Sequence, residues 1–204
     1  SEPFGGNPAA VVPLESWLAD DVMLKIAAEN NLSETAFFVK EGDRYHIRWF
    51  TPAVEVNLCG HATLATSHVI FNELGLETEE IKFHSDRSGS LGVKKEGERL
   101  VLDFPAYPMT EIETPAGLAE AVRARPRRTW ESQGNMVFML LDSVDQIRAL
   151  KPDMSELMKQ NYDEVIVTSR GDDCDFASRM FAPRIGIPED PVTGAIHCSL
   201  IPYW

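Results

Sequence analysis

Hydrophobic and polar positions change period several times along the chain, and each change predicts an element. Residues 19–31, "ADDVMLKIAAENN", open on aspartates, space Val22, Met23, Ile26 and Ala27 along one helical face and end on asparagine, which predicts an amphipathic helix. Residues 35–52 read as strand, glycine-containing turn, strand. The stretch "GHATLATSHVIFNEL" (60–74) is largely apolar all round, which predicts a buried helix. Residues 81–105 alternate like a short antiparallel meander with a hairpin at "KEGE", and a helix is expected near 115–124. The later chain predicts a strand over 134–143, a helix over 143–152 that Pro152 stops, and a helical piece over 155–160. It then predicts strand, glycine turn and strand over 163–183, and a helix that starts within 193–204 and is limited or kinked by Pro202.

These patterns occur twice. "RWFTP" (48–52) and "RMFAP" (179–183) share Arg-x-Phe-x-Pro, and a Gly-Asp turn precedes each, at Gly42-Asp43 and Gly171-Asp172. Alternating apolar residues follow each, Val54 and Val56 in one case and Ile185 and Ile187 in the other. Each series then meets a glycine expected to open a helix, Gly60 and Gly194. The expected fold class is α/β (α+β) in two structurally similar halves, residues 1–105 and 106–204.

Composition narrows the function. The chain has 204 residues and 44% hydrophobic content, enough for one large domain or two small ones with real cores. A net charge of -13 repels phosphate backbones, so nucleic acid is not an expected partner, and "RARPRR" (123–128) reads as a solvated loop after a helix. No apolar run is long enough to span a bilayer, so no membrane partner is expected. The first residues, "SEPFGGNPAAVV", lack a basic region followed by an apolar one, so no signal peptide is expected. Neither end looks like a natural terminus, and further residues are expected on each side. Three cysteines, Cys59, Cys174 and Cys198, are an odd number without framework spacing, which points to a reducing compartment, the cytoplasm.

The two glycine-led helix starts carry the chemistry. A helix N-terminus leaves backbone N–H groups unpaired and partly positive, and glycine allows a ligand close to them, so each suits a carboxylate. Around them stand groups that can move protons: Glu34 in "NLSETAFF", Cys59 and His61 in "LCGHATLA", and Asp190 in "EDPVTGAIH". Each also has an ordinary reading: Glu34 as a loop carboxylate, His61 as a core histidine, Asp190 as a turn residue and Cys59 as small-residue packing. Cys59, His61, His197 and Cys198 match no zinc spacing, so no metal is expected.

"FGGNPAAVV" (4–12), "NLSETAFF" (31–38), "RWFTPAVEVNLCGHATLA" (48–65) and "RMFAPRIGIPEDPVTGAIHCSLIPYW" (179–204) together resemble, in order, the signature blocks of the phenazine biosynthesis PhzF-like family. The resemblance implies a diaminopimelate epimerase-like fold, two pseudo-symmetric halves, each a curved sheet wrapped around a central helix, with the site between them at the helix mouths. It implies a cofactor-independent isomerase, without metal, acting as a homodimer on a small carboxylate-bearing substrate, amino acid-like or cyclic. Glu34 would be the general acid/base, His61 and Asp190 would assist by hydrogen bonding and proton relay, and Ser33, Gly60 and Gly194 would hold the substrate, with Asn7 lining the cleft. A buried carboxylate can serve as acid and then as base near neutrality. Two positions depart from the family pattern: Asn57 stands where aspartate is usual, and Ala195 where a serine hydroxyl is usual. They motivate an alternative, a non-catalytic carboxylate-binding or scaffold protein. A further alternative is a Cys59-dependent epimerase or racemase, although the second helix mouth has no cysteine to pair with it.

Overall fold

The structure is a computed structural model that describes residues 6–204, so Phe4 and Gly5 of the "FGGNP" block, and the first five residues of the stretch bearing on a signal peptide, lie outside the described residues. The chain divides into two compact units. The first comprises residues through Pro105 together with Val192–Ala195; the second comprises Ala106–Pro191 and Ile196–Trp204.

In the first unit, β1 (Ala9–Leu14), β2 (Glu34–Glu41), β3 (Arg44–Phe50), β5 (Glu80–Ser85), β6 (Gly89–Glu96) and β7 (Arg99–Asp103) lie side by side in that order, and the two-residue β4 (Glu55–Val56) pairs with β3. β1 and β2 are parallel because α1 (Asp20–Asn30) carries the chain back between them. α1 ends where Asn31 turns left-handed (φ 49°) and donates its N–H to the Ala27 carbonyl at 3.1 Å, a stop that asparagine accepts readily. β2 and β3 form the expected hairpin, turned by Gly42 at φ 64°. Alternation then sorts side chains by face. Ala36, Phe38, Ile47, Trp49, Ile81, Phe83, Leu91 and Val93 pack with Ala62, Ile70 and Phe71 from the segment of α2 (Gly60–His68) and its continuation. Phe37 and Phe50 pack instead with Met23 and Ala27 of α1.

α2 is buried for a reason that apolarity alone does not supply. Thr63, Thr66 and Ser67 are fully buried, and their hydroxyls donate to the carbonyls four residues back, at 2.6, 2.8 and 2.8 Å. Small side chains that satisfy their own polar atoms let the helix be enclosed. After His68 the coil widens into one π-helical turn, Val69–Glu73.

The second unit holds the sheet β13 (Ile187–Asp190), β12 (Phe176–Ala182), β11 (Glu164–Arg170), β10 (Met136–Leu140), β9 (Arg128–Ser132) and β8 (Thr110–Ile112), in that order. β10 and β11 are parallel, as β1 and β2 are, with α4 (Val144–Ala149) and α5 (Met154–Leu157) in the crossover. Ser143 accepts from the Gln146 N–H at the head of α4, and Asp153 accepts from two amides at the head of α5. Val137, Met139, Val165, Val167 and Phe181 pack with Leu118 and Val122 of α3 (Leu118–Val122), Ile147 of α4 and Leu157 of α5. The alternate residues Trp130, Met136, Phe138, Ile166, Met180 and Ala182 pack with Ile196 and with Leu200 of α6 (His197–Tyr203).

The Arg-x-Phe repeat has the same physical content in both units. Arg48 donates from Nε and Nη2 to the two carboxylate oxygens of Glu55 of β4 (2.7 and 2.9 Å) and lies 5.2 Å over the Phe50 ring. Arg179 does the same with Glu189 of β13 (2.6 and 2.9 Å), 4.9 Å over Phe181. The third donor ties each strand to the unit's crossover helix: Arg48 to Asp20 in the first turn of α1, Arg179 to the Ile147 and Leu150 carbonyls at the end of α4.

Several expectations need correction. Gly194 does not open a helix: residues 191–196 are bends, turn and irregular chain, and α6 begins at His197. Val54 and Ile185 are exposed rather than alternating into the core. The "RARPRR" run is only partly loop, since Arg128 begins β9, with Arg127 paired to Asp142 and Arg128 to Glu111. No described helix is long and apolar enough to cross a membrane.

Candidate functional site

In the first unit three of the residues marked by sequence come together. Glu34 is the first residue of β2, registered against Ala9 of β1. Cys59 is the N-cap of α2, with extended backbone (φ -139°, ψ 110°), and His61 is the second residue of that helix. His61 Nε2 lies 3.1 Å from Glu34 Oε2, and His61 Nδ1 lies 3.5 Å from Cys59 Sγ. Both ring nitrogens therefore face a protic group, and the three side chains form a chain from thiol through imidazole to carboxylate. The two outer members hold the imidazole's orientation, and a neutral imidazole can accept at one nitrogen while donating at the other. Glu34 and His61 side chains are 13% and 12% exposed. Glu34 Oε2 and His61 Nε2 are sealed from solvent, and despite their approach neither makes a well-aligned hydrogen bond. Buried polar atoms left in this condition are uncommon away from functional sites.

One ligand atom from each of Glu34, Cys59 and His61 lies within 4.8 Å of the others. A carboxylate, a thiol and an imidazole are all zinc ligands, so this is the place where the described residues could hold an ion. It is not the grouping weighed from spacing: Glu34 replaces His197 and Cys198, which belong to α6 of the second unit.

Ser33, just before β2, donates its hydroxyl to Asn7 Oδ1 at 2.7 Å. Gly60 and Gly194 meet backbone to backbone within the first unit. A methyl group added to Gly60 would lie 2.9 Å from Gly194 Cα, and one added to Gly194 would lie 2.8 Å from Gly60 Cα. Close chain packing is thus a sufficient reason for both glycines, separate from any ligand. Asn57 accepts from Arg87 Nη1 at 3.2 Å, and Arg87 also pairs with Glu55 at 2.8 Å. Asn57 is uncharged, so it adds no negative charge to the Arg48–Glu55–Arg87 network.

Asp190 ends β13 in the second unit, opposite Met180. Beside it is a residue that the sequence reading missed. Glu164, the first residue of β11, has its carboxyl pushed up to about 7 by burial, with the charges of Asp190 and Asp163 adding to the effect. The signal was present in the repeat: "NYDEV" (161–165) mirrors "NLSET" (31–35).

The whole chain, residues 1–204, matches the family model described as phenazine biosynthesis-like protein. The chain belongs to the phenazine biosynthesis-like, or PhzC-PhzF, family. It is 52% identical to an uncharacterized isomerase of Pseudomonas aeruginosa over 204 residues, which are 100% of this chain and 77% of the relative. A crystal structure of a PhzF-family phenazine biosynthesis protein from Enterococcus faecalis superposes with a TM-score of 0.89 at 46% identity, covering 100% of this chain and 77% of that one. A Pseudomonas aeruginosa protein described as a predicted epimerase shares the fold, with a TM-score of 0.70 at 18% identity over 98% of this chain and 76% of that one. The expected α/β epimerase-like fold and the expected enzyme class, an isomerase, stand on these likenesses.

Proposed function

We propose that this isomerase moves a proton within a small carboxylate-bearing substrate, amino acid-like or cyclic, with Glu34 as the proton carrier and no cofactor. The observation that supports it is the chain of Cys59, His61 and Glu34, which places an imidazole 3.1 Å from a nearly buried carboxylate. In this reading the Glu34 carboxylate takes a proton from a substrate carbon, and the electron pair left behind shifts into the neighbouring unsaturated system. The same carboxyl then returns the proton to another carbon. His61 Nε2 stabilises whichever oxygen of Glu34 is charged. Ser33 and the amides at Gly60, at the head of α2, hold the substrate carboxylate, Gly194 is assigned a further backbone contact to it, Asn7 positions Ser33, and Asp190 is assigned assistance in proton relay. The reading also includes a homodimer and a reducing cytoplasmic setting, in which the three cysteines persist as thiols.

A second reading has support of its own. Cys59 Sγ lies 3.5 Å from His61 Nδ1 at a helix N-terminus, an arrangement that can activate a thiol as the base of an epimerase. Proton exchange in D2O separates the readings. The protein is incubated with a panel of small amino and hydroxy carboxylates, and NMR follows loss of carbon-bound protons. Exchange that Glu34→Gln abolishes and Cys59→Ala retains supports the Glu34 route; the reverse pattern supports the thiol. Asp190→Asn tests whether the second unit contributes to turnover. Binding without exchange by any variant would leave a carboxylate-binding protein on an isomerase fold.

A further inference from the structure

The arginine clamp has a part in the first unit that the second lacks. Glu55 accepts from Arg48, and it accepts again from Arg87, which lies in the turn between β5 and β6. In the second unit Glu189 pairs with Arg179, and no second arginine is bonded to it among the described residues. Arg48 already meets both carboxylate oxygens of Glu55, so neutralising Glu55 does not require Arg87. What Arg87 adds is reach. Its Nη2 donates to Glu55 Oε2 at 2.8 Å, while its Nη1 donates to the Glu55 carbonyl and to Asn57 Oδ1, each at 3.2 Å. The next residue, Ser88, donates its hydroxyl to the Asn57 carbonyl at 2.6 Å.

These bonds land on the approach to the site. Residues 57–59 join β4 to α2 and belong to no strand or helix. Leu58 and Cys59 pack against the first unit's core, but apolar contact is non-directional and leaves their orientation open. The polar bonds from Arg87 and Ser88 supply the direction. Their own turn is tied down from the other side: the Asp86 carboxylate lies 3.4 Å from Nε2 of His46 of β3 and 3.4 Å from Nε2 of His84 of β5. Two residues beyond Asn57 stands Cys59, whose carbonyl accepts from both the amide and the hydroxyl of Thr63. A shift at Asn57 therefore passes into the first turn of α2, and so to His61, whose ring faces the Cys59 thiol at one nitrogen and the Glu34 carboxylate at the other. The second unit, without the extra arginine, runs from β13 into irregular chain rather than into a helix.

We propose that Arg87, with Ser88 beside it, is a positioning residue: it fixes the entry to α2 so that the His61 imidazole stands between the Cys59 thiol and the Glu34 carboxylate. The consequence for turnover rests on the reading of Glu34 and His61 as the proton-transfer pair; the positioning itself does not.

The test reads His61 directly. Imidazole nitrogen NMR is recorded in mildly alkaline solution for wild type, Arg87→Met, Arg87→Lys, Ser88→Ala and Arg179→Met, with the His61 signals assigned through His61→Gln. Substrate-proton exchange in D2O is followed for wild type and the Arg87 variants. Methionine keeps an apolar stem without donors; lysine keeps the charge beside Glu55 but has no planar fork to reach the Glu55 carbonyl and Asn57 together. Wild-type His61 is expected to give two well-separated nitrogen signals, as one held tautomer does. In Arg87→Met and Arg87→Lys the two signals draw together, as they do in a ring that exchanges tautomers, and exchange falls about 10- to 100-fold. Ser88→Ala moves the signals the same way by a smaller amount, and it decides the matter if Arg87→Met does not fold. Arg179→Met, which breaks the corresponding clamp in the second unit, leaves them in place. Unchanged His61 signals in folded Arg87→Met or, failing that, in Ser88→Ala overturn the proposal. Wild-type signals in Arg87→Lys overturn it too, because charge alone would then suffice, and an equal disturbance in Arg179→Met would reduce the effect to lost stability. If wild type exchanges no substrate proton, the proposed function fails, and the His61 signals still decide the positioning.

Discussion

Burying Glu164 has a thermodynamic consequence that can be worked out before any substrate is known. Its carboxyl titrates at about 7 in the folded protein against an ordinary value of 4.5. Below 4.5 both folded and unfolded chains keep the proton, so the group adds no pH dependence. Between 4.5 and about 7 the unfolded chain releases it while the folded chain holds it, so stability falls as pH rises. At about 1.4 kcal/mol per pH unit, the whole interval amounts to about 3 kcal/mol, fully lost above the folded value. Glu164→Gln removes the titration while nearly keeping the shape of the neutral acid. The expected result is therefore a variant with wild-type stability in mild acid that becomes more stable than wild type as pH rises, by up to about 3 kcal/mol above neutrality. Urea unfolding over a pH series measures this directly, with the difference between the two proteins as the readout, so that other carboxylates cancel. A difference that is flat with pH, or one that opposes this sign, would refute the reasoning, because it would mean that the folded and unfolded chains bind this proton alike.

Three further outcomes are expected. Gly60→Ala or Gly194→Ala forces a methyl into backbone contact and should cost about 1–3 kcal/mol in urea unfolding, and a change within experimental error would show that the two segments separate freely. Arg179→Met keeps the stem over Phe181 but abandons Glu189 and the two carbonyls ending α4; a loss of about 2 kcal/mol is expected, and recovery in the Arg179→Met, Glu189→Leu double variant would assign it to the unpaired glutamate. Cys59→Ser keeps a protic group facing His61 and should retain exchange within about tenfold if Glu34 carries the proton, whereas a loss of several orders of magnitude would favour the thiol.

Strong periodicity made most elements legible. α1, the β2–β3 hairpin, the β5–β7 meander and the β11–β12 hairpin all carry clear alternation or helical spacing, with a glycine or asparagine where the chain turns. The short strands β1, β8, β9 and β13 were not legible, because segments of three to six residues are held by their neighbours' ladders rather than by their own pattern. The start of α6 was misplaced for a related reason: Gly194 resembles Gly60 in sequence, yet its job in the structure is to let two backbones meet. Within the site, the grouping of Glu34, Cys59 and His61 depends on β2 and α2 being brought together across the 24 residues of chain between Glu34 and Cys59, and no local spacing encodes that. Glu164 was hidden because an acidic residue in "YDEV" looks like a strand's exposed end, and only the register shows which face it occupies.

The repeat explains why the two glutamates are chemically distinct. The structural parts of the motif are held in common: an arginine clamped to a glutamate on the next strand, a phenylalanine beneath it, and a parallel strand pair ahead. The glutamate at the head of the second parallel strand is also common to both, but what faces it is not. In the first unit the Glu34 carboxyl meets His61, a group able to accept or donate a proton; in the second, burial pushes the Glu164 carboxyl up and the charge of Asp190 adds to the effect. The same backbone position therefore presents a carboxyl beside a base in one unit and a carboxyl beside another acid in the other. The contrast comes from different elements, since α2 carries His61 and β13 carries Asp190.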